Sequence, residues 1–200
     1  MGSHSSTSLF KRWFNVRLGR DIDKRLFKKA HVTSGVKTNI ITAVNITEGY
    51  AHDSPQFENL IKVTAKNFNV REVSADAAYA SRNNFEVVFT IGAIPYIMFK
   101  KTDTGRAKGS LAWHRMHRYF QEHKQDFLGH YHQRSNAESV FAMIKRKFNM
   151  HLYCKNEAAQ VNELLCKCLC HNICVLIAEL FECQAIVSFE NSEVKIVRGF

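Results

Sequence analysis

The sequence lacks an apolar stretch at its start. MGSHSSTSLF opens on small polar residues, and a secretory signal needs an apolar core of about seven or more residues. It also lacks a long unbroken apolar run. The most apolar segment, Leu164 to Phe181, is interrupted by Lys167, His171, Asn172 and Glu179, so no membrane span is expected. Six cysteines without a secretory signal imply reduced thiols in a cytoplasm. Matched pairs of zinc ligands are missing too. Cys166, Cys170 and Cys174 recur every fourth residue with His171 nearby, but without the knuckles and turns of a structural zinc site. These cysteines read instead as small buried hydrophobes. Internal repeats and low-complexity segments are absent. Acid is scarce: 18 Asp and Glu stand against 28 Lys and Arg, a formal net charge of +10. That imbalance favours a polyanionic partner, nucleic acid first, with plain solubility as the alternative.

What is present suits one sizeable globular domain. Two hundred residues are enough for one core. Hydrophobic residues make up 46% and charged residues 23%, which is ordinary for a soluble domain. Up to residue 30 the chain is basic and aromatic. Lys11, Arg12, Arg17, Arg20, Lys24, Arg25, Lys28 and Lys29 alternate with Phe10, Trp13, Phe14 and Phe27. The cations suit phosphate contact, and the aromatics suit either base stacking or the core. Residues 29–36 and 39–47 alternate and are β-branched, which predicts a hairpin. Asp53 and Ser54 precede Pro55, a helix start with Asp53 as cap or, alternatively, as metal ligand. The helix would run to about Asn67. A strand over 70–75 then ends at Asp76, a helix spans about 81–91, and IPYIMF (94–99) is a second strand. Residues 100–130 read as polar and irregular, with 113–120 a helix beside a DNA path or an ordinary amphipathic one. Residues 156–181 read as a long, largely buried helix, and VKIV in the tail as a short strand.

The chain turns on YHQRSNAESVFAMIK (131–145). Tyr131, Arg134, Glu138 and Lys145 follow at steps of three, four and seven. On one continuous helix they fall within an arc of roughly 60°, at about 100° per residue. The apolar Ala137, Val140, Phe141, Ile144 and Phe148 form the neighbouring arc. A carboxylate beside cations can help hold a divalent metal while Arg and Lys bind phosphate. Two plainer readings compete. Glu138 and Arg134 are an i,i+4 pair. Ser135 to Glu138 also matches a capping box, which would start the helix late and leave Tyr131 and Arg134 outside it. Spacing alone favours the plainer readings. Asp76, just past a strand's carboxyl end, is equally a turn residue or an active-site carboxylate.

The Tyr-x2-Arg-x3-Glu-x6-Lys pattern resembles the signature around the last acidic residue of a large group of bacterial and archaeal insertion-sequence transposases, the DDE type. HVTSGVKTNIITAVNITEGYAHDSP (31–55), SADAAYAS (74–81) and CLCHNICVLI (168–177) are similar to the same family, in the expected order. The resemblance covers nearly the whole chain. It implies an α/β fold, an RNase H-like mixed sheet flanked by helices, over residues 1–183, with 184–200 as a tail. It implies Asp76 and Glu138 as catalytic carboxylates and metal ligands for Mg2+, with Mn2+ as substitute. Arg134 and Lys145 would bind phosphate, and Tyr131 a phosphate or flanking nucleotide. The partners would be double-stranded DNA, as transposon ends and target, and a second copy in a homodimer, with no membrane. The setting would be cytoplasmic, on the nucleoid.

One family feature is absent from the sequence. The fold's first strand is central and carries the first catalytic Asp, yet no strand with an Asp lies ahead of residue 5. Aligning Ser6 to Phe10 with the family puts Met1 near that position. The first strand is therefore expected to be missing from an N-terminally truncated copy, leaving neighbours unpaired and the chain poorly stable or self-associating. Asp21 and Asp23, the nearest acids, lie in a basic stretch and do not replace it. A DNA-binding or dimerising fragment without catalysis, and an inactive gene remnant, are the alternative readings.

Overall fold

The computed structural model of the chain describes residues 2–6, 17 and 27–182. Three strands form an antiparallel sheet in the order β1 (Gly2–Ser6), β2 (Phe27–Ser34), β3 (Ile41–Glu48). The β2–β3 hairpin is the expected one. Its β-branched Val32, Thr33, Ile41, Thr42 and Val44 suit a pleated, half-buried surface. Asn39 takes the left-handed conformation (φ 56°) that closes the turn, a conformation Asn tolerates better than most residues.

The expectation of a missing first strand is not confirmed. Gly2–Ser6 pairs antiparallel with β2, from Gly2 opposite His31 to Ser6 opposite Phe27. The strand is present but short, covering only part of β2. Neither β1 nor Met1 before it supplies the Asp that the family carries on its first strand.

α1 (Ser54–Asn67) follows with Pro55 in its first turn, where a missing N–H costs nothing. A parallel pair comes next, β4 (Glu72–Ala75) and β5 (Ile94–Ile97), joined through a 3-10 turn (Ala77–Tyr79) and α2 (Arg82–Thr90). Parallel neighbours require such a crossover. The Ser81 hydroxyl accepts from Asn84 N–H at 3.2 Å and so caps α2. Among the described residues no ladder joins the two sheets, so the mixed α/β fold is built on two small sheets rather than one.

Residues 100–110 hold no helix or strand, as expected, but the segment after them is helical. It holds α3 (Leu111–Glu122) and α4 (Lys124–Tyr131). Ser110 caps α3, accepting from Trp113 N–H at 3.1 Å. Trp113 and Met116 are buried, so this is an amphipathic core helix. Its aromatics help build the main core with Phe85, Tyr96, Phe99 and Phe127. Trp113 meets the rings of Phe85 and Phe99 edge-on at 5.1 and 5.0 Å, a favoured aromatic geometry.

A 3-10 turn (His132–Arg134) leads to α5 (Ser135–Phe148), and α6 (Glu157–Glu182) completes the described chain. Val140 and Ile144 of α5 pack with Cys168 of α6 against Val32 and Ile41, forming a second core. Asn172 fixes α6 to the start of β3, donating to the Ile41 carbonyl (2.9 Å) and accepting from its N–H (2.8 Å).

One expectation about α6 is corrected. It is not largely buried: Leu169, Ile173, Leu176, Ile177 and Phe181 are exposed, because only one stripe faces the sheet. By length and composition it is also apolar enough to cross a membrane, despite the interrupting polar residues, and 22% of its most apolar window is buried. The cysteine stripe lies largely on the outer side. Cys166 and Cys170 are exposed, whereas Cys168 is buried, and burial pushes its thiol pKa up to about 11. The tail, residues 184–200, with the strand expected at VKIV, lies outside the described residues.

Candidate nucleic-acid interface

The signature residues sit on a nearly continuous helical run from Lys124 to Phe148, through α4, the 3-10 turn and α5. The capping-box reading does not hold. Arg134, at the cap position, is itself helical (φ −55°, ψ −26°), and no side chain caps α5. Glu138 turns to Arg134 instead, accepting from its Nη1 at 2.9 Å. The plain i,i+4 pair is therefore real. With the Glu138 side chain 57% exposed, it contributes little stability by itself.

The pair does something else: it holds Arg134. The guanidinium lies 5.2 Å from the centre of the Tyr131 ring and bonds to Glu138 through Nη1. Burial opposes the Arg134 charge, but the Tyr131 phenol and Glu138 carboxylate outweigh it and raise the pKa. Tyr131 itself is 9% exposed, part of the main core, so its ring serves as a platform for Arg134. Lys145 lies two turns further on, exposed, with exposed Arg146 and Lys147 beside it in the last turn of α5.

Asp76 follows β4 directly. Its Oδ1 accepts from Ala78 N–H at 2.9 Å and caps the 3-10 turn, so the turn-residue reading describes its present contact. Ala75, before Asp76, and Ala137, before Glu138, line one cavity of about 410 Å³, together with Arg134 and Tyr79. The structure thus brings the β4 end and the α5 start to one place, and leaves Lys145 farther along the helix. Tyr79 is buried, and its hydroxyl has no hydrogen-bond partner. Burial first, then the charges of Asp53 and Asp76, raise its pKa.

Asp53 stands at the N-cap of α1 as expected, yet makes no side-chain cap bond. Its carboxylate instead pairs with Lys29 at 2.5 Å and lies 3.1 Å from His31 Nδ1, joining β2 to the start of α1. Alternation along β2 puts Lys29 and His31 on one face, which was the available signal for this cluster. Lys28 is also buried and paired, with Glu48 and Glu157. Neither lysine is therefore available for the phosphate contact expected of the basic N-terminal stretch. Arg17 is exposed, and the other cations of that stretch, with Asp21 and Asp23, lie outside the described residues.

Asp76 and Glu138 offer the hard oxygen donors that Mg2+ or Mn2+ prefers. Among the described residues, however, no group of three or more His, Cys, Asp or Glu could hold a metal. These two carboxylates alone do not complete a metal site. His171 Nε2 lies 2.9 Å from the Asn39 carbonyl and ties α6 to the hairpin turn.

A basic α/β domain with a carboxylate past a strand end and a cation-bearing helix beside it has the makeup of the nucleic-acid-handling class. The chain belongs to the transposase DDE domain family, which matches residues 7–173. No curated protein and no solved structure matches it. Membership supports a transposase function and implies DNA as substrate.

Proposed function

We propose that the chain is the DNA-cleaving and strand-joining domain of an insertion-sequence transposase. The observation that carries this is Arg134, fixed between the Tyr131 ring and Glu138 on the cavity that also receives the end of β4 before Asp76. A guanidinium already oriented loses little entropy when it takes a phosphate, and its fork suits two phosphate oxygens. Arg134 and Lys145 would hold the DNA backbone near the cut. Asp76 and Glu138 would be the acidic groups at the reacting phosphorus. In the overall chemistry, water displaces a 3′-oxygen from a phosphodiester at the transposon end, and the freed 3′-hydroxyl then attacks a target phosphodiester and displaces the target strand's own 3′-oxygen, which leaves as a hydroxyl. A divalent ion, when bound, would supply charge neutralisation at the phosphate. The work would take place on nucleoid DNA in the cytoplasm.

A second reading is a DNA-binding fragment without cleavage, favoured by the lack of a third acidic ligand among the described residues. Cleavage of a labelled transposon-end duplex with Mg2+ or Mn2+ separates the two. The first reading expects cleavage that Glu138→Gln reduces by about a hundredfold or more while DNA binding stays within about threefold. Cleavage surviving that change would remove Glu138 from the site. Binding without cleavage in the unsubstituted chain would select the second reading.

A further inference from the structure

Acid is nearly absent from the chain that follows β5. From Lys100 to Arg118, six Lys and Arg stand against one acid, Asp103. The Asp103 carboxylate is engaged by the backbone, accepting from Lys100 N–H at 2.7 Å. Arg118 pairs with Glu122. Lys100, Lys101, Arg106, Lys108 and Arg115 are exposed, and among the described residues no carboxylate pairs with any of them.

The loop that carries four of these cations is nonetheless held in one shape. Trp113 Nε1 donates to the Thr104 carbonyl at 2.8 Å, and His114 Nδ1 lies 2.7 Å from the Gly105 carbonyl. Arg82 of α2 donates from Nη2 to the Arg106 carbonyl at 3.1 Å and from Nε to the Ala107 carbonyl at 3.2 Å. Gly105 approaches α3 so closely that an added Cβ would lie 2.8 Å from His117 Nδ1. With the backbone fixed, only the cationic side chains remain to be ordered on binding. The position of the loop also matters. β4 and β5 are parallel, with Ala75 opposite Ile97, so the loop leaves the sheet at the end that carries Asp76. In α/β sheets the carboxyl ends of the strands are where ligands bind.

We propose that the loop from Lys100 to Lys108, with Arg115 of α3, is a second phosphate-binding surface for duplex DNA. It rests on the nucleic-acid reading of the chain and extends it. A duplex at the Asp76 end of the sheet is gripped twice, and the loop takes phosphates other than those held by Arg134 and Lys145. Its contacts are to the DNA backbone and carry no sequence preference.

Two measurements on the full chain test this. In the unsubstituted chain, a long duplex of mixed sequence should slow acetylation of Lys100, Lys101 and Lys108, read by mass spectrometry, about fivefold or more at low salt. In the second, Lys100, Lys101, Arg106 and Lys108 are all replaced by Gln. The slope of log K against log salt should fall by about three, at roughly 0.9 for each lost phosphate contact. The footprint needs no substitution, so it decides alone if the variant fails to fold. The proposal is overturned if the lysines stay reactive or the slope is unchanged. It is also overturned if phosphatidylglycerol vesicles protect the lysines and duplex DNA does not. A slope that falls in the loop variant but not in Arg134→Ala or Lys145→Ala supports the loop and removes α5 from the DNA path. The opposite pattern keeps α5 and overturns the loop.

Discussion

Arg134 shows what a single side chain gains from its neighbours. Its i,i+4 partner and aromatic platform were legible as spacing alone. Their joint effect was not, because it depends on the 3-10 turn that keeps Tyr131, Arg134 and Glu138 on one helical run. The Lys29–Asp53 pair was illegible for a different reason: its partners are 24 positions apart, and only the packing of β2 on α1 brings them together. Glu86 is another such case. The Ser110 hydroxyl donates to its carboxylate at 2.6 Å, and Ala112 N–H does so at 3.0 Å. The Ser110 bond chiefly lowers the Glu86 pKa, against the opposing effect of burial. A lowered folded value means that this stabilisation is fully present above the ordinary Glu pKa of about 4.3 and is lost as pH falls through the folded value. Replacing Glu86 with Gln should therefore flatten the acid limb of a melting-temperature-versus-pH profile. An unchanged limb would show that the bond contributes no linkage.

Elements were readable where periodicity was strong and local. The hairpin, α1, α2 and the long α6 emerged within a few residues of their observed ends. α3 was read over 113–120, a little short of its observed span, whereas α4 was obscured because its exposed face is rich in Lys, His and Gln, so the buried Phe127 stood as an isolated apolar position. The burial of α6 was overread because its composition is apolar all round, while only one stripe meets the sheet. Besides the apolar contact of Cys168, polar bonds hold that helix. Asn172 satisfies both backbone groups of Ile41, and removing it leaves a donor and an acceptor without their partners. Asn172→Ala is expected to cost about 1–3 kcal/mol in chemical denaturation. A change below the error of the measurement would mean that α6 is held by its apolar stripe alone. Truncating Phe85, fully buried among Phe99 and Trp113, should cost about 3–5 kcal/mol.

At the scale of the molecule, the basic excess and the exposed α6 stripe point outward. The stripe from Leu165 to Phe181 is a contiguous apolar surface of the kind monomers rarely expose. Covered between two copies, it would bury on the order of 1,200 Å², the lower end for stable interfaces. Sedimentation should accordingly show concentration-dependent pairing that Leu169→Glu with Ile177→Glu abolishes. A monomer at all concentrations would contradict it. The family and the mixed α/β class were legible because the signature and the strand-helix order are local patterns. The division into two sheets was not, since it depends on how far β1 extends along β2.

The face that runs from Arg134 in the 3-10 turn to Lys145 on α5 is proposed to hold DNA phosphates. The most direct measurement is the salt dependence of binding to a transposon-end duplex, for the unsubstituted chain and for Arg134→Ala and Lys145→Ala. Each substitution should lower the slope of log K against log salt by about one and weaken binding to all duplex sequences alike. Slopes that stay unchanged in both variants would mean that the DNA lies elsewhere on the chain.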